Sequence, residues 1–266
     1  MPEYMDNPAG RLRTLLLDVH QASPNRNVLA WDVIAKVLVP AHGPSSSISL
    51  AAMAHLLELP SQIRAAVDML DEDAEEKEHL LENLDKVQSF LSQVANRNTT
   101  LDAAFQLLVG GGDIPNSAAV QSLAHCSRRL HRLSPEPDIS YEEVDELIQS
   151  VTGLMADIRE SSLDGAAKGL LLHHLHRLLQ ALDLIRITGS APVEESLDAF
   201  LMAAQRHPEV MDEVRGRGFG ERLASIANVI RSVFGITQGV HQLGTEVHAV
   251  LQQGAHAVGQ AGNLLQ

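Results

Sequence analysis

Apolar residues recur along this chain at spacings of three and four. Between residues 80 and 94 they fall at 80, 81, 84, 87, 90, 91 and 94, the stripe of a helix with one buried face. Positions 144, 147, 148, 151, 154, 155 and 158 repeat the pattern for about five turns. The one candidate strand is 28–39, VLAWDVIAKVLV, and its apolar residues at 28, 29, 31, 33, 34, 37 and 38 fit a helix better. The expected fold is therefore all-α, a multi-helix body plus a long C-terminal amphipathic helix.

Breakers and caps punctuate the pattern. A first helix over 11–22 ends at Pro24, and a second over 27–38 ends at Pro40. Ser47 or Ser49 caps a short helix that runs through Leu59. Pro60 is read as the start of the next, where its missing N–H is harmless. Acids crowd residues 68–85, at the start of the 80–94 helix, where they complement its dipole. A helix over 100–109 stops at Gly110-Gly111-Gly112, and Asn116 or Ser117 caps another that reaches Leu133. Ser134-Pro135-Glu136-Pro137 is a stiff linker. Ser140 and Glu143 then form a capping box, each satisfying the other's unpaired N–H. Residues 163–187 make the most hydrophobic helix, expected at the centre of the body. The domain reading is a helical body over 1–214, an Arg/Gly hinge over 215–220, and a glycine-rich amphipathic helix over 221–266.

That last segment carries the strongest periodicity. An unbroken heptad places Ile226, Val233, Val240, Val247, Gly254 and Ala261 at a, and Val229, Ile236, Leu243, Val250, Ala257 and Leu264 at d. Ile230, Leu251, Val258 and Leu265 add an e stripe. A strict seven-residue repeat favours left-handed helix–helix packing. As one helix the segment would extend about 60 Å, at about 1.5 Å per residue. After Arg231 the only charged residue is Glu246, and six glycines interrupt the pattern. Each glycine costs about 1 kcal/mol in an isolated helix. Close packing against another helix, or an apolar environment, must offset that cost. The candidate interaction residues are Ile226, Val229, Val233, Ile236, Val240, Leu243, Val247, Val250, Leu251 and Val258. The expected partner is a second copy of the chain, giving a homo-oligomer. Other occupants are a different protein or, after activation, a membrane. The Arg215–Gly220 stretch would then act as the hinge.

Composition narrows the function classes. The 266 residues carry a net charge of −14, which argues against nucleic acid as a partner. Only eight residues are aromatic, so the core must be mostly aliphatic. Cys126 is the single cysteine, which rules out an intramolecular disulfide and makes the cytoplasm the expected compartment. The first ten residues lack the basic and apolar regions of a secretory signal, and no apolar run approaches the roughly 18–20 residues of a membrane-spanning helix.

No catalytic constellation emerges. His173 and His176 share a helix face in LLHHLHRLL, but no His-Glu-x-x-His is present, so packing is the reading and a metal-dependent hydrolase the outsider. His241 and His248 lie on the polar face of the last segment and are read as solvated. Gly-x-Ser-x-Gly is absent, and Cys126 is read as a small packed residue. The glycine triplet at 110–112 lacks the Lys-Ser/Thr of a phosphate loop. No catalytic, cofactor-binding or metal-ligating residue is assigned, and the chain is expected not to be an enzyme.

Three blocks resemble a family of uncharacterised bacterial all-helical proteins, across about residues 50–201. They are SLAAMAHLLELP at 49–60, SYEEVDELIQSV at 140–151 and LLLHHLHRLLQALDLIRITGSAPVEESLDAF at 170–200. The resemblance implies a stand-alone gene, sometimes near phage-defence or mobile genes, and supplies no catalytic residues. The expected function is thus a self-assembling helical module, in its sharpest form a membrane-perturbing antiphage effector. The alternative is a soluble adaptor or scaffold that binds a protein through its acidic helix.

Overall fold

The computed structural model describes residues 4–38, 50–109, 113–133 and 140–234. They are all-α: thirteen helices and no strand among the described residues, with one isolated bridge between Leu29 and Thr100. The chain divides into two compact units. Unit 1 is Met1–Asp138 with Asp183–Gly189, and unit 2 is Ile139–Leu182 with Ser190–Gln266. The stretch expected as one helical body thus contains a unit boundary, and the chain crosses it more than once.

Unit 1 holds α1 (Pro8–Ala22), α2 (Ala30–Leu38), α3 (Leu50–Asp68), α4 (Ala74–Leu81), α5 (Leu84–Ala95), α6 (Leu101–Val109) and α7 (Ala118–Leu133). Asn7 caps α1 by accepting from the Gly10 N–H at 2.9 Å, and Pro8 occupies the first turn, where no N–H is needed. α1 packs against α7, α3 and α2, and α5 packs on α6 and α3. Leu12, Leu16, Leu56, Ile63, Phe90, Leu91 and Phe105 fill this core almost without exposure. Phe90 and Phe105 stack with ring centroids 5.3 Å apart. A short strap pairs the entries to α2 and α6: Ala30 N–H donates to Thr99 O at 2.9 Å, and Leu101 N–H to Val28 O at 2.8 Å.

Three expectations change here. Pro60 does not begin a helix. It lies inside α3, a single helix of 19 residues. Met53, Leu56, Leu59, Ile63 and Val67 are all buried along one face of α3, and that continuous stripe outweighs the roughly 3 kcal/mol an interior proline costs. The acidic helix is two helices. Asp73 caps α4 by accepting from the Glu76 N–H at 2.8 Å, Glu75 and Glu76 occupy the first turn as the dipole favours, and the chain breaks at Glu82–Asn83 before α5. The hydrophobic 163–187 segment also splits. Its last turn is α10 (Ile185–Thr188), which belongs to unit 1 and buries Ile185 and Ile187.

Two arginines hold α10 in place. The Arg11 Nε donates to Ile187 O at 3.1 Å, and Arg186 donates to Val37 O at 3.2 Å while pairing with Asp18 at 3.5 Å. Gly189 then turns the chain with φ 75°, a conformation that favours glycine.

Unit 2 holds α8 (Tyr141–Glu160), α9 (Gly165–Asp183), α11 (Ala191–Arg206), α12 (Pro208–Gly216) and α13 (Phe219–Val233). The Ser140–Glu143 capping box forms as expected, with reciprocal bonds of 3.2 and 3.3 Å. Val144, Leu147, Val151, Leu154, Met155 and Ile158 make the buried face of α8. Asp164 caps α9 by accepting from the Ala167 N–H at 2.6 Å, and its own N–H donates to Glu213 of α12 at 2.9 Å. No described helix is long and apolar enough to cross a membrane.

Candidate functional site

The Arg/Gly stretch at 215–220 resolves into a tight joint. α12 ends at Gly216, α13 begins at Phe219, and Gly218 between them has φ 79°. A side chain in that left-handed conformation would be strained, so glycine lets α13 fold back onto α12. α13 also packs on α8, where Arg222 pairs with Asp157. Gly220, Leu223, Ile226, Ala227, Ile230 and Phe234 line its buried face.

The proposed ridge therefore divides. Ile226 is 9% exposed and belongs to the interior of unit 2. Val229 is 43% exposed, and Val233, one turn further on the same face, is partly exposed. α13 thus has two apolar edges: one buried in the unit, and one at Val229 and Val233 that faces outward. Ile236, Val240, Leu243, Val247, Val250, Leu251 and Val258 lie outside the described residues, as do His241 and His248.

The acidic helix start is largely engaged within unit 1. Glu72 pairs with Arg129, Asp85 with Arg64 at 3.2 Å and Glu76 with His125 at 3.8 Å. Lys77 donates to Asp68 O at 2.9 Å. Only Leu80 of α4 is fully buried, so Glu75 and Glu78 remain on an exposed surface helix.

The histidine run separates as its helical spacing requires. His173 and His176 are exposed, and the Nε2 of His176 lies 3.1 Å from Gln180. His174 is buried, 9% exposed, against the ring of Phe200 on α11. Its Nδ1 has no hydrogen-bond partner. Burial first, and then the nearby His173 and Arg177, push its pKa below the ordinary 6.5. Among the described residues no group of three or more His, Cys, Asp or Glu is placed to hold a metal ion. Burial raises the Cys126 thiol to about 12, which makes it a packed side chain and a poor nucleophile at neutral pH.

One polar constellation escaped the sequence reading. Tyr4 stacks on His131 with centroids 3.8 Å apart, and the buried Asp6 carboxylate pairs with the His131 ring. The Asn7 amide donates to Ser127 O and Oγ at 3.2 Å, and Ser127 Oγ donates to Tyr4 O at 3.2 Å. The N-terminal segment passes so close that a Cβ on Gly10 would overlap Tyr4 O. The signal was the Asn7-Pro8 cap, but residues 120 or more positions apart cannot be matched by local pattern. Ser127 is committed to fastening the N-terminus and is not poised to attack a substrate.

No family model matches the chain, and no characterised protein or solved structure proved similar to it, in keeping with its resemblance to an uncharacterised family.

Proposed function

We propose that the chain is a non-enzymatic self-assembly module, and that copies associate along an apolar ridge that starts at Val229 and Val233. The observation that carries this reading is the outward edge of α13. Unit 2 already buries Ile226, Ile230 and Phe234, yet Val229 remains exposed. The sequence continues the spacing of Val229 and Val233 through Ile236, Val240, Leu243, Val247 and Val250 with a single charge, Glu246, after Arg231. Apolar area of that extent is driven out of water, at about 25 cal/mol per Å² buried. In the sharper form of this reading, release of the ridge lets it associate with a membrane, as an assembled antiphage effector of the cytoplasm. The alternative is an adaptor role, favoured by the exposed Glu75 and Glu78 on α4, which would meet a basic protein partner.

Mass by light scattering tests the assembly. The full chain is expected to exceed the monomer mass. A chain ending after Phe234, which keeps the packing of α13, and the Val240→Asp/Val247→Asp variant are both expected to be monomeric. Equal masses for all three would refute self-assembly through the ridge. Dye release from anionic vesicles distinguishes the membrane form, with leakage expected from the full chain and none from the shortened one.

A further inference from the structure

Each described histidine of unit 1 has a carboxylate beside it, as does the exposed His207 of unit 2, 3.3 Å from Glu209. His20, His55, His79 and His125 each lie within 3.9 Å of a carboxylate, from Asp113, Glu58, Glu82 and Glu76, and His131 pairs with Asp6. His174 is placed in the opposite way. It sits where α9 meets α11, buried, with Nδ1 unpartnered and the Phe200 ring 5.7 Å away.

The charges that act on His174 are His173 and Arg177 of its own helix, and both oppose a second positive charge. Across the contact, α11 presents Phe200, while its Glu195, Asp198 and Arg206 are exposed and Glu194 is only partly buried. The carboxylates of the unit's remaining helices are likewise exposed, apart from the partly buried Asp145 and Glu213. Glu213 already accepts from the Asp164 N–H at 2.9 Å. Among the described residues, no carboxylate is hydrogen-bonded or ion-paired to His174.

We propose that His174 makes unit 2 an acid-sensitive element: protonation of this one buried ring, without a counter-charge, loosens the α9–α11 contact while unit 1 stays closed. The sign follows from linkage. The folded unit holds this proton less firmly than the open chain does. His174 therefore leaves stability intact above its ordinary value of 6.5 and removes it as pH falls from there toward the lowered folded value. The inference needs no assembly through the ridge and stands apart from that reading.

Hydrogen exchange with residue resolution on the full chain, at pH 7.5 and pH 5.5, measures both units in one sample. Protection factors, corrected for intrinsic exchange, are expected to fall in α9 and α11 and to hold in α1, α5 and α6. His174→Leu fills the same apolar site and removes the titrating ring, so its α9 and α11 protection should not change with pH. His174→Gln serves the same purpose if the leucine packs poorly. A titration of the His174 ring by NMR should place its midpoint below the ordinary 6.5. Equal acid sensitivity in the two units, or an acid response that persists in the folded Leu or Gln variant, would overturn the proposal.

Discussion

Unit 1 and unit 2 are both built of helices but tie them together differently. Unit 1 adds buried polar contacts between distant parts of the chain: Asn7 with Ser127, Arg11 with Ile187, Asp6 with His131. Its core also contains the stacked Phe90 and Phe105, and Arg97 lies over Trp31 at 4.6 Å. Unit 2 packs mostly aliphatic faces. Its long-range polar ties join exposed or partly buried groups, as in Arg222 with Asp157 and Asp164 with Glu213. Its most buried titratable side chain, His174, has an unpaired nitrogen. Buried, satisfied polar contacts select one arrangement of the helices, because any other leaves a donor or acceptor without a partner. A purely aliphatic interface makes no such demand, and so it opens at less cost.

The comparison is broken most forcefully in the core of unit 1. Phe105→Ala removes one ring of the stacked pair from a site without exposure and should destabilise unit 1 by about 3–5 kcal/mol. Protection by hydrogen exchange should collapse in α5 and α6. Because the units are compact on their own, α8 and α13 should keep theirs. A uniform loss across both would show that the chain unfolds as one body.

Asp6→Asn sharpens the contrast at intermediate size. The substitution keeps the shape of the side chain and removes the charge that faces His131. Its effect should be about 1–2 kcal/mol, short of the ~3–5 kcal/mol of a fully buried pair, because the His131 side chain is 37% exposed. Denaturant titration followed by Trp31 fluorescence reports on unit 1. No change in midpoint would mean that the N-terminal segment is held by Asn7 and Ser127 alone.

Local chemistry made much of this fold legible. The Ser140–Glu143 cap, the 84–94 part of the stripe and the 141–160 helix follow from spacings of three and four, which depend only on near neighbours. Errors arose where distant packing overrode a local rule. Pro60 is a breaker by every local criterion, yet Leu56, Leu59 and Ile63 are buried on both sides of it and hold the helix together. The helical apolar spacing runs through 170–187, but Ile185 and Ile187 are buried in unit 1 and Leu175 and Leu178 in unit 2. Periodicity reports that a residue is buried and not in which core. The same limit applies to the candidate site. The heptad grouped Ile226 with Val229, whereas the fold buries the first and exposes the second. The difference depends on where α8 and α12 lie, and no spacing within α13 contains that information.

The smallest effect comes from the surface. Arg64 and Asp85 form an ion pair at 3.2 Å between α3 and α5, and the Asp85 side chain is 87% exposed. In water such a pair gains little over its hydrated partners, and two long side chains lose freedom in forming it. Arg64→Ala should therefore lower the stability of unit 1 by less than about 1 kcal/mol, and the difference should shrink further in high salt. The measurement sets the scale for the rest of the comparison. If Arg64→Ala were to match Asp6→Asn, burial would not be what distinguishes the polar ties of unit 1 from those of unit 2. A near-neutral Arg64→Ala beside a costly Asp6→Asn would place the difference between the units in their buried contacts, and not in the number of their ion pairs.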